Sequence, residues 1–295
     1  MELMAKVSGI NTSDGIYNLS VFDKDNNGYH LKITTDKILN IKLGHTYLFT
    51  CEQKANKDKN YYYVIAYKDI LTLPFLQKDE ALRMFYNKAP ISLEYAIKEV
   101  NSYINRIENK IVKDITINLI NEHYDEYYTY PAASKLHHAY IGGLCYHSIG
   151  MLHFADAFIE NYNYLDKDFI YAGILLHDIA KTIELSGSVN TEYTLKGQLL
   201  GHLVMGAMEV ERVALKLGYE NSEEALMLEH MLISHHGQPQ FGSAKKPMTP
   251  EALVLWYVDT IDSKFRVLGE ELEKTNSKEF TDSIGVLDRS KIYKK

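Results

Sequence analysis

His177-Asp178 stands at the centre of a dispersed series, with His147 before it and His202, the pair His235-His236 and Asp259 after it. Nine of the twelve histidines fall between His137 and His236, so imidazoles are concentrated in the middle of the chain. Imidazole nitrogens and carboxylate oxygens, recurring at about one helix plus one loop, are the donors that one or two divalent metals require. Leu175-Leu176 runs directly into His177 and Asp178. An unpaired polar group buried there would cost roughly 2–7 kcal/mol, so ligation or strong pairing is expected. A carboxylate can bridge two ions and an imidazole normally cannot, which makes Asp178 the expected bridge. His147, His177 and Asp259 would then surround one ion, and His202, His235 and His236 the other. Asp262, one turn beyond Asp259, competes with it for that place. Mixed nitrogen and oxygen donors suit Mn, Fe, Co, Ni or Zn better than Mg or Ca. His30, His45, His153 and His230 read as ordinary core or surface residues.

The ligands need helices to carry them. Ser92–Ile107 and Ile111–Ile120 have apolar residues at helical spacing. Leu144–Ile159 forms a helix around His147, and Asp166–His177 forms the next, with Asp166 or Asp168 as N-cap. Thr194–Leu217 carries His202 and closes at Gly218. Asn221 with Glu224 three residues on resembles a capping box for the helix that reaches His235. Thr249-Pro250 opens the last long helix, which carries Asp259. Helices packed as a bundle can aim all these side chains at one point.

The first 70 residues follow another period. Leu3–Ile10, Tyr17–Phe22, Tyr29–Thr35, Thr46–Glu52 and Tyr61–Tyr67 read as short strands, with Gln53–Asn60 as a polar loop and Asn27-Gly28 as a hairpin signal. Five such strands predict a small antiparallel barrel, with an oligonucleotide-binding (OB-like) barrel the natural candidate. The fold class is therefore α+β: barrel over 1–72, helical bundle over 73–275, and a polar, loosely packed tail over 276–295. Exposed apolar faces in the helices of 75–130 would serve a homo-oligomer or pack on the helical core.

Bulk properties narrow the class. The formal charge of −7 over 295 residues argues against binding nucleic acid by bulk positive charge. Residues 1–70 differ, with nine Lys against eight acids. Cys51 and Cys145 are the only cysteines, which excludes a disulfide framework and a cysteine zinc knuckle. The reading is a cytoplasmic protein: the first residues lack a signal-peptide layout, and no apolar run approaches a membrane span.

Taken together, these motifs resemble the HD-domain metal-dependent phosphohydrolases, most closely the YhaM-type 3′→5′ exoribonucleases. The resemblance is carried by His137–Leu144 leading to His147, by Leu175-Leu176-His177-Asp178-Ile179-Ala180-Lys181, and by Gly197–His202. Ser234-His235-His236-Gly237, Phe241–Thr249 and Asp259 complete it. It spans residues 130–265. Ala180 departs from a usual Gly, and Cys145-Tyr146 stand where Leu-Glu is common. The resemblance implies metal ligation by His147, His177, Asp178, His202, His235, His236 and Asp259. It also implies two divalent ions, with Mn²⁺ foremost, and single-stranded RNA or DNA as substrate partner. Within that chemistry Lys181 would offset charge developing on phosphate, and His138 would contact substrate or assist the leaving group. Lys245 and Lys246 would steer phosphate, while Tyr61 and Tyr63 would offer stacking surfaces. Two other readings remain at this stage. One is an HD phosphohydrolase for small nucleotides or cyclic dinucleotides, although Gly237-Gln238-Pro239 lacks the Gly-Tyr-Pro signature of the latter group. The other is a catalytically silent nucleic-acid-binding module.

Overall fold

A computed structural model of the 295-residue chain describes residues 1–13, 15–34, 38–56, 59–133 and 140–295. The chain divides into two compact units, Met1–Asn87 and Lys88–Lys295. Among the described residues, no helix is long and apolar enough to cross a membrane.

In the first unit, strands β1 (Glu2–Ser13), β2 (Ile16–Phe22), β3 (Gly28–Thr34), β4 (Thr46–Asn56) and β5 (Lys59–Asp69) close into a barrel in the order β1-β2-β3-β5-β4. Period-two alternation fills it: Leu3, Ala5 and Val7 from β1, Leu19 and Val21 from β2, and Leu31 and Ile33 from β3 are all buried. Tyr47, Phe49 and Cys51 from β4 and Val64 from β5 complete the core. Register shifts between Val7 and Gly9 and between Thr50 and Cys51 add the local bend that closure requires.

Two expectations need correction here. Most of Gln53–Asn60 is strand: β4 runs on to Asn56 and β5 begins at Lys59, pairing Lys54 with Tyr61 and Asn56 with Lys59, while residues 57 and 58 lie outside the described residues. Polar side chains are compatible with a strand whose outer face meets water. The barrel is also not wholly antiparallel, because β3 and β5 meet in parallel, with Leu31 beside Tyr62 and Lys32 beside Tyr63.

The first unit also takes in helix α1 (Phe75–Phe85), which a boundary at residue 72 leaves outside. Tyr86, just beyond α1, ties the segment down through its hydroxyl, which donates to the Gly44 carbonyl at 2.9 Å and bonds Thr46 Oγ1 at 2.9 Å.

The second unit is helical: α2 (Leu93–Arg106), α3 (Lys110–Glu122), α4 (Tyr124–Thr129), α5 (Gly143–Asn161), α6 (Lys167–Leu176), α7 (Lys181–Glu184), α8 (Leu195–Leu217), α9 (Glu223–Ser234) and α10 (Pro250–Lys274). Side chains of Ser92, Asn109, Asp166, Thr194, Ser222 and Thr249 cap six of these at their N-termini. Ser222, not Asn221, caps α9 and accepts the N–H of Ala225. The two side chains are equally competent caps and adjacent, so sequence alone places the start only to within a residue.

Helix α6 is the hub. Asp168 and every residue from Ile170 to Leu176 are buried, and α2, α3, α5, α9 and α10 all pack on it. A helix that is apolar all round belongs at the centre of a bundle.

The tail is more ordered than its polarity predicts. Phe280 bridges to Tyr293 and Ile284 to Ser290, while Thr281 and Ile284 are buried. Lys294 Nζ donates to the carbonyls of Leu272 and Thr275 at 2.6 and 2.7 Å, satisfying the C-terminal end of α10.

Phe49 is fully buried in the barrel and packs against Tyr47 and Tyr67. Phe49→Ala is expected to destabilise this unit by about 3–5 kcal/mol in denaturant titrations that follow barrel tyrosine signals; a loss under 1 kcal/mol would contradict this packing.

Candidate metal centre

The site is built where helices end. His177 is the C-cap of α6, with Asp178 on the turn behind it, and His235 is the C-cap of α9, with His236 next. His147 projects from the second turn of α5, and Asp259 and Asp262 project from the middle of α10. His202 lies in α8 directly after a break at Gly201, where φ is 73° and ψ 158°. Asp178 and His177 are buried, as are His147 and His235.

Small residues permit the convergence. Gly237 has φ +77°, and a Cβ there would lie 1.9 Å from the Trp256 ring of α10. At Gly150 a Cβ would meet Asp262 Oδ1 at 2.4 Å, so α5 and α10 approach closely only because that position is glycine.

Hydrogen bonds then fix the ring orientations. His177 Nδ1 bonds the Ile174 carbonyl, His235 Nδ1 the Leu232 carbonyl and His236 Nδ1 the Phe241 carbonyl, each at 2.7 Å. A carbonyl oxygen only accepts, so all three rings carry a proton on Nδ1 and, when neutral, present the Nε2 lone pair. His202 Nδ1 is bonded to Glu184 Oε2 at 2.9 Å, and His147 Nδ1 to Asp262 Oδ2 at 2.8 Å. The same arrangement, an Nδ1 anchored to an acceptor, orients metal-ligating histidines generally.

What faces inward is a set of possible ligand atoms in two groups. Ligand atoms of His147, His177 and Asp259 all lie within 4.8 Å of one another, and those of His202, His235 and His236 do likewise. Asp178 stands between them. Its Oδ2 is 3.2 Å from His177 Nε2, and its Oδ1 is 3.4 Å from His202 Nε2 and 3.9 Å from His235 Nε2. His177 Nε2, His202 Nε2, His235 Nε2 and Asp178 Oδ1 are buried without a hydrogen-bond partner. Four orphaned acceptors pointing at one another are unfavourable unless a cation lies among them, which is the requirement a divalent metal meets. The donor set therefore fits metal ions.

Electrostatics agree with the geometry. Burial, reinforced by neighbouring imidazoles, pushes His235 far below the ordinary histidine range, and burial lowers His236, so both rings are neutral ligands. Burial opposes charge on Asp178, yet Lys181 and His177 outweigh it and hold the carboxyl well below the usual range. Asp259 is likewise lowered, chiefly by His147 once burial is overcome. His147 is the exception: burial lowers its affinity for a proton, but hydrogen bonds to Asp259 and Asp262 prevail and raise it to about 9.

The other site residues fall as follows. Lys181 is directed at the site from within: its Nζ donates to Asp178 Oδ2 at 2.7 Å. Lys245 and Lys246 are exposed on the segment after a short 3-10 turn at Pro239–Phe241. That segment is tethered by Ala244 N–H to the Ile233 carbonyl and by Met248 N–H to His230 Nε2. Tyr63 is half-buried on β5 of the other unit. His138 and the Tyr61 side chain lie outside the described residues. Two carboxylates were not assigned from sequence. Asp262, weighed only as a rival to Asp259, instead shares His147 with it, Asp259 Oδ1 approaching Nε2 at 3.1 Å. The available signal was their i, i+3 spacing on one helix face. Glu184 carried no signal beyond its place six residues after Asp178.

Residues 144–264 match the family model described as HD domain. The match covers all seven ligand candidates and supports the HD-domain superfamily for this part of the chain. HD domains are generally metal-dependent phosphohydrolases, and the two His/Asp groups provide the donors that such a hydrolase needs.

Because its folded value is raised to about 9, the His147 pairing stabilises the metal-free protein fully below the unfolded histidine value near 6.5. That stabilisation disappears as pH rises through about 9. A cation taking Nε2 must displace this proton. Metal uptake at pH 7 should therefore release protons, and apparent affinity should climb with pH until about 9. Calorimetric titration in buffers of different ionisation enthalpy checks this; heats independent of buffer would exclude it.

Proposed function

We propose that this protein is a metal-dependent 3′→5′ exoribonuclease that releases nucleoside 5′-monophosphates from single-stranded RNA and also accepts single-stranded DNA. The observation that carries the hydrolytic part is the pair of His/Asp ligand groups with Asp178 between them. Two divalent ions, Mn²⁺ foremost among Mn, Fe, Co, Ni and Zn, would activate water for attack on phosphorus and neutralise the phosphate's charge. Asp178 would hold the groups in register, one oxygen toward each. The rings of His177, His202 and His235 would present Nε2 in the tautomer their Nδ1 bonds dictate. Lys181 holds positive charge beside Asp178, placed to offset the negative charge that grows on the phosphate oxygens.

Support for a polymeric substrate comes from the barrel considered by itself. Five strands closed in the order β1-β2-β3-β5-β4 support reading it as an OB-like barrel, a type that would bind single strands on an outer face. On that surface Lys54 Nζ lies 5.1 Å and Lys32 Nζ 5.9 Å from the Tyr63 ring centroid. An aromatic ring flanked by two cations suits a stacked base and its adjoining phosphates.

Asp178→Asn leaves the carboxylate's size but removes its charge, and hydrolysis should fall by at least about 10³-fold while RNA binding persists. A time course on 5′-labelled RNA with Mn²⁺ tests both claims: wild type should give a descending ladder and the variant none. Intact RNA with the wild-type protein, alongside cleavage of mononucleotides or cyclic dinucleotides, would instead select the small-substrate reading.

Tyr63→Ala combined with Lys54→Ala should raise KM on a long strand about 5- to 100-fold, the scale of one lost stacking contact, and leave dinucleotide cleavage unchanged. Equal losses on both substrates would remove the barrel from substrate binding.

A further inference from the structure

Among the inward-facing histidines, His202 is held in a way the others are not. Glu184, at the end of α7, is buried at 7% exposure. Its Oε2 accepts from His202 Nδ1 at 2.9 Å, and its Oε1 accepts from the His202 backbone N–H at 3.1 Å. Both oxygens of one carboxylate therefore grip one residue, at its ring and at its main chain. His177, His235 and His236 are anchored through Nδ1 to backbone carbonyls, and each of those carbonyls lies within five residues of its histidine.

The backbone is shaped for this grip. Gly201 takes a φ of 73° with ψ 158°, a region essentially restricted to glycine, and the break sets the His202 N–H against Glu184. Upstream, a Cβ at Gly197 would lie 2.4 Å from the Glu184 carbonyl oxygen and 2.9 Å from its Cα, so the start of α8 rests directly on this residue. Thr194 N–H donates to the same Glu184 carbonyl at 2.8 Å. Main chain, side chain and two glycines thus converge on the placement of His202.

We propose that Glu184 is a positioning residue for one metal only: it aims His202 Nε2 toward Asp178 Oδ1 and thereby controls occupancy of the His202, His235 and His236 group. The His147, His177 and Asp259 group does not depend on it. This inference rests on the two-ion reading above.

Glu184→Gln preserves size, but its single oxygen can serve only one of the two donors, and its NH₂ then confronts the other. With Mn²⁺ as the probe, wild type should hold two ions per chain and give the spectrum of a magnetically coupled pair. In the variant, affinity for one ion should fall about 10–100-fold, the loss typical of removing an anchor from a ligating histidine. Affinity for the other should stay within about 3-fold, and the coupled spectrum should give way to that of an isolated ion. Gly201→Ala, which strains the break and leaves Glu184 in place, should reproduce this selective loss if Glu184→Gln fails to fold. Unchanged stoichiometry and coupling in both variants would overturn the inference, and so would parallel loss of both ions, the mark of a merely structural role. A wild-type chain that binds one ion, with uptake unaffected by His202→Ala, would overturn the two-ion reading and this inference with it. Two ions in wild type with no change in Glu184→Gln would overturn the inference alone.

Discussion

The hydrogen bond on each histidine's Nδ1 is the interaction on which the rest of the centre depends. An imidazole can point either nitrogen inward, and in an interior shielded from water the wrong choice leaves a donor facing donors. Carbonyls of Ile174, Leu232 and Phe241 make that choice for three rings by accepting from Nδ1. The Nε2 atoms of His177 and His235 then face Asp178 without a hydrogen-bond partner, and the charge such a set calls for is positive. Burying these groups unpaired costs stability locally, and a bound cation would offset that cost.

The helical architecture serves that convergence. Because α6 is apolar on every side, its last turn delivers His177 and Asp178 to the bundle's interior rather than its surface. Helices α5 and α10 close on it where Gly150 leaves room for Asp262, and α9 ends against Trp256 where Gly237 leaves room for the indole. Each glycine sits where a side chain would hold two helices apart by the width of a methyl group, and so would move a ligand out of reach.

The two ligand groups are not electrostatically alike. His235 and His236 are held neutral by burial, ready to accept a metal without losing a proton. His147 lies between Asp259 and Asp262, and these carboxylates raise its proton affinity. At His147 an ion must compete with a proton, which it need not do at His235 or His236. Arg266 extends the first network: it pairs with Asp262 at 3.4 Å and donates to the Tyr146 hydroxyl at 2.6 Å. The Arg266 guanidinium lies 4.3 Å from the Tyr146 ring centroid, and the carboxylate on His147 Nδ1 comes from α10.

Much of this was legible from neighbouring residues alone. Residue types marked Leu3–Ile10 as a strand, Thr249-Pro250 marked the start of α10, and Gly218 marked the end of α8. The ligand types and their helix-length intervals were likewise on the page, because caps, periodicity and donor chemistry are decided within a few positions. The parallel contact of β3 with β5 was not, nor was the reach of β4 to Asn56 and of β5 back to Lys59, since strand pairing depends on partners far along the chain. The break at Gly201 looked like one glycine in a long helix until Glu184 gave it a purpose. Sequence alone determined which groups are available to bind metal and roughly how far apart they lie along the chain. Only the tertiary structure decided which nitrogen each histidine turns inward, that Asp262 anchors while Asp259 faces the site, and that Glu184 grips His202. Those assignments turn on hydrogen bonds between helices, and local sequence carries no record of what lies across the bundle.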